Sequence, residues 1–206
     1  MPLNPARAFP TLRGRHIVSR MGVAGAAALL FVGAAGVSSA QTQAGGAAAA
    51  FPAVGATAPD FTATATDSTG RSIPVSLAQY KGKVVVLAFY PLDRSSGCTA
   101  ELSKFRDDYM TLFGSDVVVL PASVDSLASH ASWAKDAHFP FVMISDRESA
   151  LATKYGSQGG ARPYFRRTVF VIGKDGRIAW ENTRFNPLAQ NAYDELAAEV
   201  RKASGE

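Results

Sequence analysis

Cys98 is the only cysteine in the chain, and it stands where chemistry would put a reactive thiol. Its neighbours run Phe89-Tyr90-Pro91-Leu92-Asp93-Arg94-Ser95-Ser96-Gly97-Cys98-Thr99-Ala100-Glu101. A lone cysteine is ordinarily a small buried hydrophobe. Here it is flanked by Ser, Gly, Thr and Glu rather than by core residues. The apolar stretch before it, residues 84–90, reads as a buried parallel strand. After it, Leu102, Phe105, Tyr109, Leu112 and Phe113 repeat at helical spacing. One helix is therefore expected from Cys98 to about Phe113, ended by Gly114-Ser115. The cysteine falls in the first turn of that helix. Unpaired N–H groups and the helix dipole favour an anion there, which would be a thiolate.

The elements that must hold this loop follow along the chain. Residues 61–66 and 71–75, joined by Asp67-Ser68-Thr69-Gly70, form an N-terminal hairpin. Residues 117–124 are a second buried strand. Ser126 begins a helix through Trp133 and Ala137. Residues 141–144 are a short strand, and Ser145-Asp146 caps a helix from Glu148 to Tyr155. A glycine-rich loop covers 156–163. Residues 168–172 and 177–180, joined by Gly173-Lys174-Asp175-Gly176, form a closing hairpin. A C-terminal amphipathic helix spans 188–202, with Leu188, Tyr193, Leu196, Ala197 and Val200 on one side. Strands alternating with helices imply an α/β sandwich with a mixed sheet.

The N-terminal segment reads differently. Residues 1–20 carry Arg7, Arg13, Arg15 and Arg20 and no acid. An Ala/Gly/Leu-rich run over 22–37 follows, then Val37-Ser38-Ser39-Ala40 before Gln41. Basic, apolar, small is the order of a secretory signal over residues 1–40. The apolar run is short and weakly hydrophobic for a membrane span, so no stable membrane association is expected. Residues 41–52 are an Ala/Gly-rich flexible linker, and 53–206 fit one domain with a single core. The expected location is exported, in a bacterial periplasm or outside the cell. The chain holds 21 basic and 17 acidic residues. Four of the basic residues lie in the signal segment, which leaves seventeen of each sign. A nucleic-acid partner thereby loses its electrostatic support. One cysteine in an exported chain allows no internal disulfide.

The order of elements, with a cysteine at the helix start after the first core strand, resembles the thioredoxin fold. The motifs are similar to those of peroxiredoxins, the thiol peroxidases of that fold, and most of all to the Q-type or bacterioferritin-comigratory branch. The resemblance rests on Ala58-Pro59-Asp60-Phe61 and on Phe89-Tyr90-Pro91 followed by Gly97-Cys98-Thr99 and Glu101. It continues through Ser123-Val124-Asp125-Ser126 with His130 and Trp133, Pro140-Phe141, Ser145-Asp146 and Tyr155-Gly156, and ends with residues 167–172. Two departures stand out. Ser95 replaces the usual Thr and keeps the hydroxyl, while Ser96 replaces Pro. Ser103 occupies the usual resolving-cysteine position, which implies a one-cysteine enzyme.

The resemblance implies a thiol-dependent peroxidase acting on hydrogen peroxide and organic hydroperoxides. Cys98 would attack the O–O bond and become a sulfenic acid. Ser95 and the loop N–H groups, including that of Cys98, would hold the peroxide. Arg167 would stabilise the thiolate and the departing oxygen. Pro91 would shield the sulfur from bulk water. Gly97, Thr99 and Glu101 support the site, and Glu101 is either a partner of the helix dipole or the group that orients the arginine. An external thiol, thioredoxin-, glutaredoxin- or glutathione-like, would reduce Cys98 again, and the chain would act as a monomer or homodimer. His130 is expected on a solvent-facing helix surface, and His138 and Asp125 without partners. No cofactor is implied, no His/Cys cluster has metal spacing, and 156–160 lack the Gly-Lys-Ser/Thr of a phosphate loop. Two alternatives remain. One is an exported thiol-disulfide oxidoreductase, for which Ser95 stands at the first position of Cys-x-x-Cys. The other is a non-catalytic thioredoxin-fold binding or chaperone module.

Overall fold

Five consecutive apolar residues at the centre of the chain, Val85 to Phe89, set the architecture. They form β3 of a seven-stranded sheet, and all five are buried. A strand this apolar must be covered on both faces. The computed structural model describes residues 50–160 and 163–206. The expected signal segment and most of the linker lie outside these residues, as do Ala161 and Arg162 of the glycine-rich loop.

In chain order the strands are β1 (Thr62–Thr66), β2 (Ser72–Ser76), β3 (Val85–Phe89), β4 (Val118–Ser123), β5 (Met143–Ser145), β6 (Thr168–Ile172) and β7 (Ile178–Asn182). Across the sheet they run β2-β1-β5-β4-β3-β6-β7. β3, β4 and β5 are mutually parallel, while β1, β2, β6 and β7 join antiparallel. β3 is thus parallel to β4 but antiparallel to β6. The expected mixed sheet with an N-terminal hairpin is present.

Alternation along β3 divides the core. Val86, Ala88 and Tyr90 face α1 (Ser96–Asp107), α2 (Tyr109–Leu112), α3 (Leu127–Ala137) and α5 (Gln190–Ser204). Val85, Leu87 and Phe89 face α4 (Ala150–Lys154) and the segment around Phe61. Phe51 packs partly buried on this second face, 6.5 Å from Phe170. Ordered packing therefore begins before residue 53.

Three boundaries differ from expectation. The helix after Cys98 breaks at Asp108, whose ψ of 22° leaves helical geometry. Hydrogen bonds from Asp108 to Lys104 and from Leu112 to Asp108 continue across it, so the break is a kink. Tyr109 Oη donates to Val117 O at 2.8 Å, which ties the second segment to the approach to β4. The helix expected from Glu148 starts at Ala150. Asp146 caps it as expected, accepting from the N–H groups of Leu151 and Ala152. Leu188 is 82% exposed. It precedes α5 in an Asn186-anchored turn and does not join the apolar side of that helix.

Candidate active site

β3 ends at Phe89, and the chain turns through residues 90–95 before α1 begins. Ser95 is the N-cap residue of α1, so Cys98 is its third residue. The first-turn N–H groups of Ser96, Gly97 and Cys98 have no carbonyl four residues back within the helix. The turn itself is constrained. Arg94 adopts a left-handed φ of 61°, a conformation that costs a non-glycine residue about 1 kcal/mol or more. Its guanidinium is tethered to Asp136 at 2.7 Å and Ser132 at 2.9 Å on α3, which fixes the turn from outside.

Cys98 is wholly buried, in contrast to its polar sequence surroundings. The helix start folds inward into the core that holds Val86 and Ala88 of β3, so sequence neighbours and spatial neighbours differ. The sulfur is nonetheless not in an apolar setting. Arg167, immediately before β6, donates from Nη2 to Cys98 Sγ at 3.3 Å. β6 lies beside β3 and runs against it, which carries the arginine to the end of β3 where the loop begins. Gly97 leaves room for the approach: a Cβ there would lie 3.1 Å from Arg167 Nη2, close enough that the guanidinium would have to give by a few tenths of an ångström.

Glu101 holds the other arm of the guanidinium. Its Oε2 accepts from Arg167 Nη1 in an ion pair, with Glu101 fully buried and the arginine side chain 16% exposed. Burial raises the Glu101 carboxyl to about 7, with Arg167 opposing the shift. Burial also works against the charge on Arg167, but Glu101 and the sulfur outweigh it and hold the guanidinium above its ordinary value. Glu101 is thus placed against Arg167, the contact that the second of the two sequence readings requires. Phe185 N–H donates to Arg167 O at 3.2 Å, and the Phe185 ring packs with Phe105 and Tyr193. In sequence only helical spacing marks Phe105 and Tyr193, and nothing singles out Phe185.

The remaining expected residues are placed as follows. Ser95 Oγ donates to Leu92 O at 3.1 Å. Thr99 N–H donates to Ser95 O at 2.8 Å, closing the first helical bond. Pro91 is half-buried at the bend after β3.

His130 and Asp125 correct the sequence reading. His130 is fully buried. Its Nε2 faces Ile144 O at 3.2 Å and its Nδ1 faces both Asp93 carboxylate oxygens at 3.0 and 3.1 Å. A carbonyl accepts only, so Nε2 carries a proton and donates to it. Asp93 also accepts from Tyr90 Oη at 2.7 Å and Ser129 Oγ at 2.6 Å. Burial, then the Asp93 carboxylate, pushes the Tyr90 phenol well above its ordinary value, so it remains a donor. Asp125 Oδ2 accepts from Asp93 N–H at 2.9 Å and Ser123 Oγ at 2.8 Å. The helical periodicity around His130 was visible, but the acceptors it meets lie 14 and 37 residues away. Among the described residues, no group of three or more His, Cys, Asp or Glu could hold a metal ion.

The AhpC/TSA family model matches residues 54–181. Peroxiredoxin Bcp of Bacillus subtilis is 34% identical over 113 residues, covering 52% of this chain and 72% of that one. The chloroplastic peroxiredoxin Q of Sedum lineare is 36% identical over 137 residues, covering 65% and 70%. The crystal structure of peroxidoxin BcpB from Mycobacterium tuberculosis superposes with a TM-score of 0.63 at 27% identity, over 73% of this chain and 97% of that one. The family match runs through both Cys98 and the arginine that meets it, and the chain belongs to the AhpC/TSA family as a thiol-dependent peroxidase of the Bcp/Q peroxiredoxin branch.

Proposed function

We propose that Cys98 is the peroxidatic residue, and that it reduces hydrogen peroxide and organic hydroperoxides. The observation that carries this assignment is the 3.3 Å contact from Arg167 Nη2 to Cys98 Sγ in the first turn of α1. Two sources of positive charge, the guanidinium and the helix start, meet at the one sulfur that can act as a nucleophile. The thiolate attacks one peroxide oxygen and forms an S–O bond as the O–O bond breaks. The sulfur is oxidised to the sulfenic acid, and the departing oxygen leaves as RO⁻ and takes a proton to become water or an alcohol. Arg167 offers several fixed donors to that oxygen, and Glu101 holds the guanidinium in place. Ser95, rotated from Leu92, and the free N–H groups of the first turn orient the peroxide. Pro91 limits water at the bend. A thiol from outside the chain then restores Cys98.

Stopped-flow oxidation of the protein by hydrogen peroxide tests this. Reaction far faster than that of a free thiol, abolished in Cys98→Ser, is the expected result. A rate equal to that of a small-molecule thiol sinks the assignment. Residues 1–40 support an exported location through their basic, apolar, small-residue order. The N-terminal sequence of the protein recovered from an expressing bacterium checks it, with Gln41 as the expected first residue.

A further inference from the structure

Glu101 has one carboxyl oxygen on the arginine and one that no hydrogen bond accounts for. Its Oε2 accepts from Arg167 Nη1, while Arg167 Nη2 donates to Cys98 Sγ at 3.3 Å. Its Oε1 is buried and has no hydrogen-bond partner among the described residues. Cys98 and Glu101 stand three residues apart on one face of α1. Both are 0% exposed. Two acids thus meet one guanidinium in a desolvated site. The other titratable groups nearby bring no second cation to Glu101. Tyr193 of α5 is held above its ordinary value by burial and then by Glu101, so it is neutral, and its Oη donates to Pro187 O at 2.9 Å. Lys104, one turn further along α1, pairs with Asp108.

We propose that Cys98 and Glu101 hold one proton between them, and that Glu101 carries it while the sulfur is a thiolate. The proposal rests on the peroxidase reading above. With both acids ionised, two negative charges would share one cation, and Oε1 would be a buried carboxylate oxygen with nothing to solvate it. With both neutral, the guanidinium would lose its counter-charge. One negative charge at a time balances the site, so the two groups titrate as a unit. Burial lifts the Glu101 carboxyl to about 7, the direction that sharing requires. During the reaction the thiolate gives two electrons to the peroxide. The S–O bond forms as the O–O bond breaks, and the departing oxygen gains a proton. The sulfenic acid is neutral, which leaves Glu101 as the only counter-charge to Arg167, and the carboxylic proton is released. The step runs Cys98–S⁻ + Glu101–COOH + ROOH → Cys98–SOH + Glu101–COO⁻ + ROH. No net proton is drawn from solvent, whereas a thiolate without such a partner draws one.

The test uses the full chain, reduced and then oxidised with one equivalent of hydrogen peroxide at about pH 8, above the Glu101 value of about 7. Thiolate absorbance follows Cys98, a pH indicator in weak buffer counts protons, and dimedone trapping checks the sulfenic acid. The unaltered protein is expected to lose its thiolate with a proton uptake near zero. Its infrared difference spectrum should show a carboxylic acid band replaced by carboxylate bands. Glu101→Gln is expected to take up one proton for each thiolate lost and to lack that band change. Cys98→Ser, which leaves the Glu101–Arg167 pair in place, should hold Glu101 as a carboxylate at the same pH before any peroxide is added. This second variant keeps the test decisive where Glu101→Gln does not fold. A group that only orients the arginine moves neither the proton count nor the band. Failure to form the sulfenic acid overturns the peroxidase reading and the sharing together. A normal sulfenic acid with one proton taken up by the unaltered protein, or with no carboxyl band change, overturns the sharing alone.

Discussion

A single guanidinium carries most of the electrostatics of this site, because Arg167 touches the sulfur and Glu101 at once. Arg167→Ala is expected to slow Cys98 oxidation by ~10²-fold, the usual cost of losing one donor to a developing oxyanion. Stopped-flow rates with hydrogen peroxide check it, and a change under threefold would remove Arg167 from the mechanism. Glu101 contributes a pH dependence of stability. Its carboxyl lies at about 7 in the folded chain against an ordinary 4.5. The unfolded chain therefore loses this proton first as pH rises. The group's contribution is fully present below about 4.5 and is lost as pH climbs through about 7. Glu101→Gln removes the titration. The stability difference, wild type minus variant, should fall between pH 4.5 and 8 when denaturation midpoints are compared. A difference that rises over that window would reverse the assignment.

The elements explain why the loop stays in place. β3 delivers it, α1 begins from it, and α3 holds it from the side through two connections. Arg94 reaches Ser132 and Asp136 at the surface, while Asp93 meets Ser129 and His130 inside. The His130–Asp93 side chains are 0% and 3% exposed. Removing the imidazole deletes its buried hydrogen bonds, while Asp93 keeps those from Tyr90 and Ser129. His130→Ala is therefore expected to cost about 2 kcal/mol, read from the urea midpoint. A loss below 1 kcal/mol would show that the pair does not anchor α3 to the loop. Asp136→Ala breaks only the exposed connection and should cost under about 1 kcal/mol.

At the scale of the whole molecule, one thiol in 206 residues decides what cysteine oxidation can produce. One equivalent of peroxide should add one oxygen and give a dimedone-reactive product, and excess peroxide should give sulfinic acid. Intact-mass spectrometry measures both. A loss of two protons within one chain would contradict a one-cysteine mechanism. The fold around that sulfur has no disulfide to lean on and relies on its two apolar layers, one on each face of the sheet. The contact of Arg167 with Cys98 and Glu101 is the part of the site that depends on the whole chain, since these residues lie 69 and 66 positions apart.

The local patterns were legible in the sequence because they are local. The all-apolar run of β3, the polar turn, and the helical spacing after Cys98 follow from neighbouring residues. Cys98 at a helix start needed nothing more. The resemblance marked Arg167, yet only the antiparallel pairing of β6 with β3 brings it to the sulfur. His130 was misread as solvent-facing because helical period reports a face, not what covers it. Its partners come from a loop 37 residues earlier and a strand 14 residues later. Leu188 was misplaced because the Asn186 turn ends the apolar side before the helix begins. The burial of Cys98 likewise came from inward docking of α1, which polar sequence neighbours do not report. Periodicity fixes which way a side chain faces along its own element. Which charges, rings and carbonyls wait there is decided by strand order and helix docking, and these depend on contacts far apart in the chain.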